Sequence, residues 1–120
     1  MVIALMLTVA TTAQTSANAV ATTKLSDSSR SITPDTLKPV ECAAITLTAK
    51  LSGTAVINGA STAELITGSA IIDTIAGNGG NDCLLGGGGN DSLNGGTGTD
   101  VCIGGPGTDT FNASCETQIQ

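Results

Sequence analysis

The spacing of apolar residues along this chain changes from one region to the next. Residues 2–10 form a short unbroken apolar stretch. Residues 22–40 carry Ser, Thr, Pro34 and Pro39 with no apolar period, which is linker composition. Over residues 41–51, Ile45, Leu47, Ala49 and Leu51 alternate with Thr46, Thr48 and Lys50. Period-two alternation with Thr and Ile predicts a strand there. A nine-residue period then takes over, as GSAIIDTIA (68–76), GNGGNDCLL (77–85), GGGGNDSLN (86–94), GGTGTDVCI (95–103) and GGPGTDTFN (104–112). The sixth residue is always Asp: Asp73, Asp82, Asp91, Asp100 and Asp109. The eighth is Ile75, Leu84, Leu93, Cys102 and Phe111. The same frame extends back through GASTAELIT (59–67), with Glu64 sixth and Ile66 eighth. KLSGTAVIN (50–58) keeps Ile57 eighth and has no acid, so residues 41–67 read as an N-terminal strand and degenerate repeats.

Each nonapeptide divides into a Gly-rich turn of six and a strand of three. In a three-residue strand the middle side chain faces one way and its flanks the other. The eighth position therefore points inward, while the seventh and ninth (Cys83 and Leu85, Ser92 and Asn94) point outward. Two repeats make one coil, with one strand on each of two sheets. The expected fold is an all-β parallel solenoid whose core is a thin stack of Ile, Leu, Cys and Phe.

Composition makes that core marginal. The chain has 120 residues, one aromatic (Phe111), and no Trp, Tyr or His. One buried aliphatic side chain per nine ordered, Gly-rich residues does not offset the lost chain entropy. The acids deepen the deficit. Coils stack about 4.8 Å apart, so Asp73, Asp91 and Asp109 form one column and Glu64, Asp82 and Asp100 the other. Neighbouring carboxylates at that spacing repel by about 1 kcal/mol in water and roughly 3–4 kcal/mol at an effective dielectric of about 20. The net charge is −6, and every base (Lys24, Arg30, Lys38, Lys50) precedes residue 51. A half with acids and no base is a poor partner for nucleic acid and a natural one for a hard cation. Ca²⁺ suits it better than Mg²⁺, because it accepts many oxygen ligands in flexible geometry.

These repeats resemble the RTX (haemolysin-type) calcium-binding nonapeptide, GGxGxDxUx. GGTGTDVCI and GGPGTDTFN match its Gly-Gly-x-Gly-x-Asp part in full, and GNGGNDCLL and GGGGNDSLN nearly so. GSAIIDTIA keeps only Gly68, Asp73 and Ile75 of the motif. The resemblance implies a right-handed parallel β-roll with Ca²⁺ held between turns on the same side of successive coils. On this chain it pairs Asp73 with Asp91, Asp91 with Asp109, and Asp82 with Asp100, giving about three ions. Glu64 with Asp82 would make a weaker fourth. Backbone ligands would come from the turn glycines Gly77, Gly79, Gly86, Gly88, Gly95, Gly98, Gly104 and Gly107.

Residues 1–21 read as an export signal, with Ala17-Asn18-Ala19 and Ala19-Val20-Ala21 as cleavage sites. The stretch is too short to cross a bilayer. Four Cys agree with an oxidising destination and allow three pairings. Cys102 faces inward near the end of the roll and Cys115 follows the last repeat, which suggests Cys102–Cys115 and leaves Cys42–Cys83; otherwise Cys102 is simply a small core residue. Without His there is no Ser-His-Asp or H-E-x-x-H site, and the acids are committed to turns, so no enzyme is expected. The reading is a secreted, monomeric calcium-binding protein, structural or adhesive at the cell surface, with residues 113–120 as a C-terminal cap. The alternatives are a module of a larger RTX exoprotein, or an ice-binding solenoid. The latter lacks the Thr row it needs, since the third turn position is Gly79, Gly88, Thr97 and Pro106.

Overall fold

The computed structural model describes residues 31–120. The expected export signal and the first part of the linker, up to residue 30, lie outside the described residues. The remainder is a parallel β-roll. Its strands are β1 (Ala49–Ser52), β2 (Val56–Asn58), β3 (Glu64–Thr67), β4 (Thr74–Gly79), β5 (Cys83–Leu85), β6 (Ser92–Thr97), β7 (Val101–Ile103), β8 (Thr110–Phe111) and β9 (Thr117–Ile119). Odd strands form one sheet in the order β1-β3-β5-β7-β9, and even strands form the other, β2-β4-β6-β8. All pairings are parallel.

The register follows from two nonapeptides per coil. Ile57 pairs Ile75, Ile66 pairs Leu84, Ile75 pairs Leu93, Leu84 pairs Cys102 and Leu93 pairs Phe111. These eighth-position side chains are the core, buried from Ile57 to Cys102 and half-buried at Phe111. The period breaks at both ends. Leu51 pairs Ile66, so residues 50–52 are a strand of the preceding coil, and only residues 53–55 turn the chain into β2. The segment 50–58 is therefore not one nonapeptide. At the other end Cys102 pairs Gln118, because residues 113–116 make a turn two residues shorter than the others.

The expected strand over residues 41–51 forms only from Ala49 onward. Upstream lie a short helix, α1 (Pro34–Leu37), inside the expected linker, and a 3-10 turn, Val40–Cys42. Lys38 bridges these pieces: its Nζ pairs with Asp35 (2.7 Å) and donates to the Ile45 carbonyl, while Leu47 N–H donates to Asp35 Oδ1 (3.0 Å). The Ile45 carbonyl and the Leu47 N–H are thus engaged by side chains rather than by a sheet ladder.

Ile45 and Leu47 nonetheless face inward with period two, onto a second apolar cluster outside the roll. There they join Cys42 and the outward side chains Leu65, Cys83 and Val101, with Leu85 and Ile103 at its margin. The outer face of the odd sheet is apolar and covered. The outer face of the even sheet carries Thr74, Ser92 and Thr110, all exposed. Disulfides pin both ends. Cys42–Cys83 (Cα–Cα 5.9 Å) ties the covering segment to β5, and Cys102–Cys115 (5.8 Å) closes the core beneath the last turn. Both are the pairings the sequence suggests.

Candidate metal centre

The turns present their acids inward. Asp82 and Asp100 are 0 % exposed, and Asp73 and Asp91 are 1 %. Burying four carboxylates without a base is costly, and the one ion pair among the described residues, Lys38–Asp35, lies elsewhere. One oxygen of each acid is satisfied by the stacking of coils. Glu64 N–H donates to Asp82 Oδ1 (2.8 Å), and Asp82 N–H to Asp100 Oδ1 (2.8 Å). In the other column Asp73 N–H donates to Asp91 Oδ1 (2.8 Å), and Asp91 N–H to Asp109 Oδ1 (2.7 Å). The expected pairings are therefore brought together.

The second carboxylate oxygen divides the turns. In turn 59–64, Glu64 Oε2 accepts from Ala60 N–H (2.8 Å). In turn 68–73, Asp73 Oδ2 accepts from Ser69 N–H (2.7 Å) and Ser69 Oγ–H (2.9 Å). In turn 104–109, Asp109 Oδ2 accepts from the Gln120 side-chain amide (2.8 Å). Between these, Asp82 Oδ2, Asp91 Oδ2 and Asp100 Oδ2 are buried with no hydrogen-bond partner. Such orphaned buried acceptors are rare and call for a ligand.

Backbone conformation is the cause. The fourth residue of each strict turn, Gly80, Gly89, Gly98 and Gly107, has φ between +103° and +146°. The second residue is also left-handed, supplied by Gly87, Gly96, Gly105 and by Asn78 (φ 71°). Only Gly adopts these angles freely, with Asn next. Turns 59–64 and 68–73 contain no positive φ, so their second N–H swings onto their own carboxylate.

The first Gly of each turn keeps a space open. A Cβ on Gly86 would meet Asp91 Oδ2 and stand 2.7 Å from the Gly104 carbonyl oxygen; one on Gly77 would meet Asp82 Oδ2 and the Gly95 oxygen. The unpartnered oxygens of Asp82 and Asp91 therefore each share a cradle with a carbonyl of the next coil. Of the glycines expected to line the turns, Gly77, Gly86, Gly95 and Gly104 stand at these cradles. Gly98 and Gly107 supply the left-handed angle instead. Gly79 and Gly88 do neither: neither has a positive φ, and an added Cβ would stand 3.5 Å from Ala70 at Gly88 and 3.2 Å from the Thr97 hydroxyl at Gly79, away from the carboxylates.

Electrostatics follows the same division. Burial pushes the Asp82 carboxyl up to about 7, aided by the charges of Asp100 and Glu64 and opposed by the Glu64 N–H. Burial also raises Asp91 and Asp100, with the neighbouring carboxylates of each column adding to it. Asp73 is buried too, but the hydrogen bonds from Ser69 and Ala55 outweigh burial and hold it below the usual range. Among the described residues, no three His, Cys, Asp or Glu side chains converge on one point. A cradle of two carboxylates and Gly carbonyls is a different kind of site. Its hard oxygen donors, one of them unpartnered, with no base nearby, fit a hard divalent cation.

Three contributors escape the nonapeptide pattern. Ser69 fills the cradle of Asp73. Gln120 caps Asp109. Glu116 extends the Glu64–Asp82–Asp100 column, its Oε2 accepting from Asp100 N–H (2.7 Å). The signal for Glu116 was available: an acid followed by Thr117, Gln118 and Ile119, offset from the frame by the two-residue deletion.

The family model of the RTX calcium-binding nonapeptide repeat (4 copies) matches residues 58–93 and 84–111. Neither the curated proteins nor the solved structures give a match. The match covers the cradles, the left-handed turns and the buried acids. Over residues 58–111, this chain is an array of RTX calcium-binding nonapeptide repeats folded as a parallel β-roll.

Proposed function

We propose that the chain is a secreted structural or adhesive module whose roll is completed only on calcium, with the strict turns as its ion sites. The observation that carries this reading is the set of buried, unpartnered oxygens on Asp82, Asp91 and Asp100. Asp82 and Asp100 with the Gly95 carbonyl would hold one ion, and Asp91 and Asp109 with the Gly104 carbonyl a second. The expected Asp73–Asp91 site is the weaker one, since Ser69 already serves Asp73. Bound there, calcium supplies the positive charge that cancels carboxylate repulsion along each column. The residues do the rest. The left-handed glycines hold the carbonyls toward the carboxylates, and the eighth-position stack fixes the coil spacing.

Two disulfides suit an oxidising, extracellular setting. The same setting would explain the dependence on the ion: low calcium inside a cell keeps the strict turns open, and external calcium closes them. Far-ultraviolet circular dichroism of the full chain, titrated with calcium, tests this. The strand signal should grow with calcium and fall with chelator. A strand signal unchanged by excess chelator contradicts the reading.

A further inference from the structure

We infer that the roll ends in a further hard-cation site outside the nonapeptide repeats, built by Asp100 with Glu116 and Ser114. The inference rests on the calcium reading of the strict turns. β7 pairs β9 with Val101 opposite Thr117, so Glu116 occupies the place of a sixth-position acid although its turn has only four residues. Asp100 N–H donates to Glu116 Oε2 at 2.7 Å, the bond that joins every other neighbour in the column. The extra methylene of Glu extends the carboxylate's reach from this shorter turn.

The second observation is independent of the acids' clustering. Asp100 Oδ2 is fully buried and has no partner. It lies beside Gly95 as Asp82 Oδ2 lies beside Gly77. Over Gly77 the next coil offers the Gly95 carbonyl. Over Gly95 the next coil is the shortened turn, and there Ser114 supplies the oxygen. Gly96 N–H donates to Ser114 Oγ (3.0 Å), as Gly87 N–H donates to the Gly104 carbonyl (3.0 Å). Ser114 Oγ–H is turned to Asn94 Oδ1 (2.7 Å), which leaves a lone pair of the hydroxyl oxygen for an ion. The Cys102–Cys115 disulfide fixes the residue between Ser114 and Glu116 to the core. The opposite column ends differently, because Gln120 donates to Asp109 Oδ2 and closes that cradle with a protein group. The roll thus terminates in an ion on one side and an amide on the other.

The test is calorimetric titration with calcium chloride of the full, disulfide-bonded chain beside Glu116→Gln and Glu116→Ala. Gln keeps an oxygen that accepts from Asp100 N–H and removes the charge; Ala removes both. Both variants should lose one calcium from the wild-type count, or show one site weakened by about tenfold or more. A Glu116→Gln count and affinity equal to wild type, with loss only in Glu116→Ala, overturns the inference and makes Glu116 a hydrogen-bonded cap. Collapse of the Glu116→Gln strand signal in saturating calcium overturns it likewise, by making the residue structural. A wild-type chain that binds no calcium instead overturns the calcium reading beneath it.

Discussion

Turns 59–64 and 68–73 differ from turns 77–82, 86–91 and 95–100 in one respect that decides their chemistry. All five have six residues, end in a buried acid and stack that acid on the next coil through a backbone N–H. The first two satisfy the second carboxylate oxygen from within. The last three leave it without a partner. The acid is therefore not what distinguishes an ion site from a structural turn. The distinction lies in the left-handed residues at the second and fourth positions, which hold N–H groups away from the carboxylate and keep it in need of a cation. Losing those glycines changes a conditional turn into an unconditional one.

The largest effect should come from closing a cradle. Gly86→Ala places a methyl against Asp91 and the Gly104 carbonyl, whereas Gly88→Ala, two residues away, meets only ordinary contacts. Thermal melts in saturating calcium should show Gly86→Ala destabilised by about 3 kcal/mol or more. Gly88→Ala should stay within about 1 kcal/mol of wild type. Equal losses at both positions would mean that turn glycines matter for chain flexibility and not for the cradle.

A smaller effect is the sign of the pH dependence. The Asp82 carboxyl is raised in the fold to about 7, so its favourable contribution is complete below its unfolded value, near 3.8, and is lost as pH rises through about 7. Asp91 and Asp100 shift the same way. Asp73 is lowered, so it contributes above its unfolded value and loses that contribution as pH falls through its folded one. In chelator, the strand signal and melting temperature should therefore rise on acidification from about pH 8 to about pH 5. With calcium they should fall over the same window, since the ion needs ionised carboxylates. A chelated protein that weakens on acidification would show that Asp73-like turns dominate.

Much of this was legible in the sequence, because strict periodicity leaves few ways to fold. The eighth-position stripe gives the core, the sixth-position acids give the columns, and the position of Cys102 in the stripe gives its partner. The ends were harder to read. Insertions and deletions shift the frame without changing the coil, so Lys50–Ser52 and Glu116 fall off the nine-residue grid though they occupy its places in space. The covered outer face was readable in principle: Leu65, Cys83, Leu85, Val101 and Ile103 recur in alternate repeats, where the intervening ones carry Thr74, Ser92, Asn94 and Thr110. The role of Ser69 was not readable, since it depends on the backbone of turn 68–73, where Ser69 and Ile71 at the second and fourth positions take no left-handed angle.

The difference between the two kinds of turn is tested most directly by calcium titration of Asp91→Asn beside Asp73→Asn. Asp91→Asn removes a carboxylate with an unpartnered oxygen, and Asp73→Asn removes one already bonded to Ser69. The account predicts that Asp91→Asn weakens calcium binding by about tenfold or more, about 1.4 kcal/mol, while Asp73→Asn changes it by no more than about threefold. Equal losses in the two variants would contradict it.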